Sequence, residues 1–236
     1  MKKIILATAI FVLSACSPNE ADFKSAVPPL EKRMAQENIV KSAPLPPEIN
    51  LKVPFYSQAP EGDWGEPWQD ACEEAATVLA YHFAIDDELS IDQFKTEVLG
   101  LVDWETKNFG YYESTDIQKT YDMMLANYQI PSDMVWILED PTIDSLKSQL
   151  AQGHVIIAPF AGRMLGNPFY SGEGPIYHMM VIRGYDPVNF IVNDIGTRRG
   201  ENFIYPYKTL MNSMHEWNEE DILKGARKVI IVSPFT

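Results

Sequence analysis

Four segments in the second half of the chain, Val155–Phe160, Tyr177–Tyr185, Phe190–Asp194 and Lys228–Ser233, are dense in β-branched and apolar side chains. This block of strand-like runs constrains the fold more than any other feature of the sequence. The first half reads differently. After one early strand, Leu51–Phe55, and a Pro-, Gly- and Trp-rich loop over Gln58–Asp70, apolar residues recur at helical spacing. Ala75, Ala76, Leu79, Ala80 and Phe83 form the core-facing stripe of a helix over Cys72–Ala84. Further helices are predicted over Ser90–Leu99, Ser114–Tyr128 and Thr142–Gln152, the first two opening on a capping serine. Helices first and strands afterwards predict an α+β domain, a helical half packed against an antiparallel sheet.

The amino terminus has another character. Lys2 and Lys3 precede an apolar run, Ile4 to Leu13, that is too short to span a bilayer and has the form of a secretory signal segment. Leu13-Ser14-Ala15-Cys16 resembles the bacterial lipobox, which implies cleavage after residue 15 and lipidation of Cys16. Residues 1–15 are thus expected to be a signal peptide. Residues 16–49, with six prolines among charged residues, read as a lipidated tether, and residues 50–236 as one globular domain. The expected location is outside the cytoplasm, held by lipid to a bacterial membrane, and to the outer one where there are two.

Loss of residues 1–15 leaves 17 basic against 33 acidic residues, a formal charge of −16. Such a chain is a poor match for nucleic acid, and its membrane contact is expected from the lipid rather than from a basic patch. Lipidation of Cys16 also leaves Cys72 without a disulfide partner. A lone thiol in an oxidising compartment is either buried or used.

Placement favours use. Cys72 lies at a helix start, where free amides and the macrodipole stabilise a thiolate, although Glu73 and Glu74 oppose it. A cationic partner is therefore required, and the chain has four histidines. His82 reads as packing, His154 sits at a turn and His215 lies near the end beside Trp217. His178 stands in an otherwise apolar strand, where a polar ring needs a reason. Asp194 ends the next strand, and a turn at Asp186-Pro187-Val188-Asn189 brings it beside His178, while Asn193 alternates to the opposite face. An oxyanion donor is expected from the Cys72 amide and from a glutamine upstream, Gln58 in preference to Gln69. No histidine pair at ligand spacing and no Cys-x-x-Cys is present, so neither a metal nor another cofactor is expected.

Val53-Pro54-Phe55-Tyr56-Ser57-Gln58-Ala59-Pro60, Ala71-Cys72-Glu73-Glu74-Ala75-Ala76, Tyr177-His178 through Gly184-Tyr185-Asp186, and Asn193-Asp194-Ile195-Gly196-Thr197 carry a resemblance. In this order they resemble cysteine peptidase family thirty-nine, the bacteriocin-processing peptidase-like group, and more narrowly its stand-alone branch. The resemblance implies a papain-like fold, peptide cleavage by Cys72, His178 and Asp194, and an oxyanion role for Gln58. The family's transporter-linked members usually have Gly where this chain has Glu73, and a shorter loop ahead of the cysteine.

Three activities follow as expectations: hydrolysis of peptide or related amide bonds, acyl transfer to an amine, or a catalytically dead binding module motivated by Glu73 and Glu74. The expected partner is a peptide or protein, with the oligomeric state open. Trp64, Trp68, Tyr111, Tyr112 and Tyr170 either line a substrate groove or only pack their loops. Gly172, Gly174 and Pro175 suggest a flap, and Arg198 and Arg199 either order the corner after Asp194 or bind a substrate carboxylate.

Overall fold

A computed structural model describes residues 44–235. The expected signal peptide, the Cys16 lipidation site and nearly all of the tether lie outside the described residues. The packed unit begins at Leu45, a few residues before the predicted boundary, because Tyr185 Oη donates to Pro46 O and Ile49–Asn50 joins the sheet as β1.

Seven strands form one antiparallel sheet. They are β1, β2 (Val135–Glu139), β3 (Val155–Ala161), β4 (Tyr177–Tyr185), β5 (Asn189–Asn193), β6 (Phe203–Pro206) and β7 (Lys228–Val232), in the order β2-β7-β3-β4-β5-β6. β4 is central. It pairs with β5 along one side and with β3 along the other through Ile182, after which β1 takes over at Gly184 and Tyr185. Gly184 permits that handover, since a Cβ there would sit 2.1 Å from Ile49 O.

The helices cover both faces. Period-two alternation sends Tyr177, Met179 and Val181 of β4 to one face and Met180 and Ile182 to the other. On the first face lie α1 (Cys72–Ala84), α2 (Ile91–Asn108) and α3 (Ile117–Asn127). Leu146 and Leu150 of α4 (Ile143–Ala151) and Leu210 of α5 (Tyr207–Ser213) pack on the second. The α+β arrangement expected from the sequence, helices packed against an antiparallel sheet, is present, with helices on both faces rather than one.

Several boundaries differ from expectation, each for a local reason. Leu51–Phe55 is extended but is not a strand: Arg183 Nε takes Leu51 O, Asn193 Nδ2 takes Pro54 O, and Pro54 has no N–H to offer a ladder. α2 runs on past Leu99 to Asn108, because Leu101, Val102 and Glu105 are buried beyond Gly100. α3 starts at Ile117 with Asp116 as its cap, while Ser114 takes a left-handed φ of 54°. β2, β6 and α5 have no counterpart among the elements the sequence predicts.

Candidate active site

Cys72 is the first residue of α1, and its cap position, Ala71, has no side chain to satisfy the helix's leading amides. Among the described residues no backbone carbonyl engages the Cys72 amide. The sulfur is buried, as Cys72 is 5% exposed. It donates to Glu73 Oε2 at 2.9 Å, and no hydrogen bond joins it to His178. Burial pushes the Cys72 thiol well up, and the charges of Glu73 and Glu74 add to this. The backbone of Met179, next to His178, is the contact that favours the thiolate.

Glu73 is itself fully buried, with Oε1 accepting from Thr115 N at 2.7 Å. Burial raises its carboxyl to about 8, with the hydrogen bond from Cys72 opposing and the charge of Glu105 assisting. Glu74 and Glu105 are buried beside it and face each other, with the Thr115 hydroxyl the other polar group acting on Glu105. The hydrogen bond open to that pair is one carboxyl donating its own proton to the other. Burial accordingly holds Glu74 far above its ordinary range and Glu105 at about 7. The negative charge that the sequence places beside Cys72 is thus largely neutralised by retained protons near pH 7.

His178 lies one residue into β4, at the end of the sheet, and is 2% exposed. Its Nε2 is 2.9 Å from Asp194 Oδ1. Asp194 follows β5 directly and is fully buried. Oδ1 also accepts from Gly196 N at 3.1 Å, while Oδ2 accepts from Asn167 Nδ2 at 2.7 Å, Tyr170 Oη at 2.8 Å and Tyr205 Oη at 2.7 Å. Burial alone would raise the Asp194 carboxyl. The charge and hydrogen bond of His178, with the two tyrosine hydroxyls, outweigh it and hold the carboxyl below its ordinary value. An ionised acid only accepts, so His178 Nε2 carries the hydrogen and Nδ1 of the neutral ring is the basic nitrogen. Tyr170 meets the imidazole edge-on with centroids 5.7 Å apart. Gly196 leaves room for both, because a Cβ there would lie 2.9 Å from His178 Cε1 and 3.1 Å from Tyr170 Cε1.

Gln58 is tied to the same corner by its backbone, its N–H donating to Ile195 O at 2.9 Å. Its side-chain Nε2 donates to Trp68 O at 3.0 Å and Gln69 O at 2.9 Å, which fixes the turn leading into Cys72. Its Oε1 is buried without a partner. The side chain of Gln69 donates to Glu66 instead.

Cys72, His178, Gln58 and Gln69 all line one cavity of about 610 Å³. Trp64 and Tyr170 line it as well, whereas Trp68, Tyr111 and Tyr112 do not. Tyr111 lies under Lys119 and Tyr112 donates to Glu66. His82 pairs with Glu97, His154 with Gln149 and His215 with Gly225 O, all away from the cavity. Among the described residues no cluster of His, Cys, Asp and Glu is suited to a metal ion. Asn193 faces away from Asp194, binding Arg183 Nη1 and the carbonyl of Pro54. Asn167 and Tyr205 reach Asp194 from segments with no local motif to mark them.

Comparison with known proteins bears on the same elements. No curated protein matches the sequence. Among solved structures, a candidate C39-like peptidase from Bacillus anthracis is similar in fold, with 13% identity and a TM-score of 0.52 over 80% of this chain and 98% of that one. Xylellain, a cysteine protease from Xylella fastidiosa, is 17% identical with a TM-score of 0.44, over 82% of this chain and 88% of its own. The model of the Peptidase_C39 like family matches residues 50–221, a span that takes in Gln58, Cys72, His178 and Asp194. With nearly three quarters of its length inside that match, the chain belongs to the Peptidase_C39-like family of cysteine peptidases.

Proposed function

We propose that the chain hydrolyses peptide or closely related amide bonds through Cys72, His178 and Asp194. The observation that carries this reading is the His178–Asp194 pair, held by the buried cage around Asp194 at the wall of a cavity that Cys72 also lines. A buried histidine serving only packing has no use for an ionised carboxylate fixed by four other donors. A general base has two: the carboxylate sets the tautomer and stabilises the imidazolium.

In the proposed cycle Cys72 turns from Glu73 toward His178 Nδ1, which takes the thiol proton as sulfur attacks the scissile carbonyl. The Cys72 amide receives the oxyanion. Gln58 joins it by releasing one of its two carbonyls, Trp68 O or Gln69 O, in exchange for the substrate oxygen. His178 then returns the proton to the leaving amine, and water repeats the sequence on the thioester. Peptide or protein is the substrate class that the family supports.

The thiol's contact with Glu73 favours a rival, a papain-like module that binds peptides without cleaving them. A diverse peptide mixture incubated with the wild-type chain and with Cys72→Ala separates the two. New peptide termini from the wild type alone support hydrolysis, and an unchanged mixture from both supports the module. Adding an amine and seeking its adducts by mass spectrometry tests acyl transfer.

The same proposal places the chain outside the cytoplasm on a lipid at Cys16, at the outer membrane where there are two. The signal-like residues 1–15 and Leu13-Ser14-Ala15-Cys16 support it. The mass of the mature amino-terminal peptide from bacterial cells, compared with that from Cys16→Ser, is its test.

A further inference from the structure

Two arginines share the cavity with the proposed nucleophile and have no role in the scheme above. Arg198 and Arg199 are exposed, line the cavity with Cys72 and His178, and among the described residues are its only lysine or arginine side chains. Among the described residues neither forms an ion pair with a carboxylate within 4.0 Å, although the chain carries 33 acidic residues against 19 basic ones. Of the two acids lining the cavity, burial raises Glu73 to about 8 and burial with the charge of Glu66 raises Asp70. A free guanidinium in so acidic a protein lacks the partner its surroundings could readily have supplied.

Both side chains lie against neighbouring groups nonetheless. The Arg199 guanidinium lies over Phe169 with Cζ 5.0 Å from the ring centroid. Arg198 lies over the Gly62 backbone, where an added Cβ would come within 3.2 Å of Nη1. The segment carrying them is closed on the catalytic corner: Asp194 N donates to Gly200 O at 2.9 Å and Arg199 N to Thr197 Oγ1 at 3.2 Å. Unpaired, fork-shaped donors lining the same cavity as a reactive centre are suited to a carboxylate.

We propose that Arg198 and Arg199 form an anion subsite, so that the preferred substrate is a peptide presenting a carboxylate inside the cavity close to the bond attacked. This deepens the hydrolase reading and names its substrate class. The carboxylate belongs either to an acidic side chain or to a free carboxyl terminus, and the test distinguishes them.

The experiment uses the full chain and three sets of acetylated hexapeptides of otherwise shared, randomised neutral sequence. One set carries a single Glu and an amidated end, one carries Gln in its place, and one is neutral with a free carboxylate. Cleavage by the wild type is followed by mass spectrometry, and binding to Cys72→Ala by the fluorescence of Trp64 and Trp217, which line the cavity. Glu peptides, free-ended peptides or both should be preferred about tenfold or more over the Gln amides, and the favoured set names the source of the carboxylate. Arg198→Gln/Arg199→Gln should abolish the preference while leaving the alkylation rate of Cys72 by iodoacetamide unchanged. Equal treatment of all three sets, or a preference that survives the double substitution, overturns the subsite. Cleavage without charge preference would leave the hydrolase reading standing alone, and Arg-dependent binding without cleavage would leave the subsite standing alone.

Discussion

Replacing Glu105 by glutamine should flatten the pH dependence of this fold's stability. Burial holds the Glu105 carboxyl at about 7, against 4.5 for an ordinary glutamate. Glu73 and Glu74 face it, and Lys119 is the cation whose charge acts on it. Between these two values the native state keeps a proton that the unfolded chain has released. Stability is therefore greatest at the acid end of the window and falls as pH rises through it, by about 1.4 kcal/mol per pH unit for each retained proton. From pH 5 to 7 one such group contributes a loss of about 2 kcal/mol, or about 4–8 °C in Tm for a domain of this size. Glutamine keeps the volume, does not titrate, and offers Glu74 a donor. Thermal unfolding at pH 5, 6 and 7 should show the Tm of the wild type falling about 4–8 °C further than that of Glu105→Gln. General repulsion among the surface acids is common to both proteins and cancels in the comparison. Parallel curves would refute the retained proton and, with it, the neutralised charge beside Cys72.

Other consequences follow from the site's geometry. Asp194→Asn should leave a folded protein with peptidase activity reduced about 10³- to 10⁴-fold, because an amide in the tyrosine cage no longer fixes the imidazole tautomer; steady-state kinetics beside a circular-dichroism melt would check it. Gly196→Ala should lower kcat by displacing the His178 ring, which an added Cβ would approach to 2.9 Å; unchanged kcat would show that the ring tolerates the shift. Glu73→Gln removes an acceptor and a latent charge from the sulfur, so iodoacetamide should label Cys72 faster at pH 8 in this variant than in the wild type, with equal rates counting against the Glu73 contact.

The sequence disclosed chemistry where chemistry follows chain order and missed it where distant segments converge. A lone cysteine at a helix start, a polar ring in an apolar strand and an acid one hairpin later are local signals, and β4 and β5 bring the last two together at 2.9 Å. Asn167, Tyr170 and Tyr205, which complete the cage around Asp194, come from a loop and an edge strand whose nearness to Asp194 is a property of the folded sheet. The charge state of Glu73 is likewise not a local property, since it depends on that residue's own burial in the folded core and on the charge of Glu105, which arrives from the next helix. Among elements, Gly100 reads as a helix end yet lies within α2, since an exposed glycine costs about 1 kcal/mol and the buried residues after it outweigh that. Leu51–Phe55 has the composition of a strand, but Arg183 and Asn193 side chains occupy the carbonyls a neighbouring strand would have used.

The most direct measurement is mass-spectrometric analysis of the purified full chain mixed with a diverse peptide library, beside Cys72→Ala and His178→Ala. Peptides with new termini from the wild type, a transient acyl adduct on Cys72, and neither from the two variants are the predicted result. Cleavage that persists undiminished in Cys72→Ala, or a library left intact by the wild type, would contradict the assignment of this thiol and imidazole as a peptidase site.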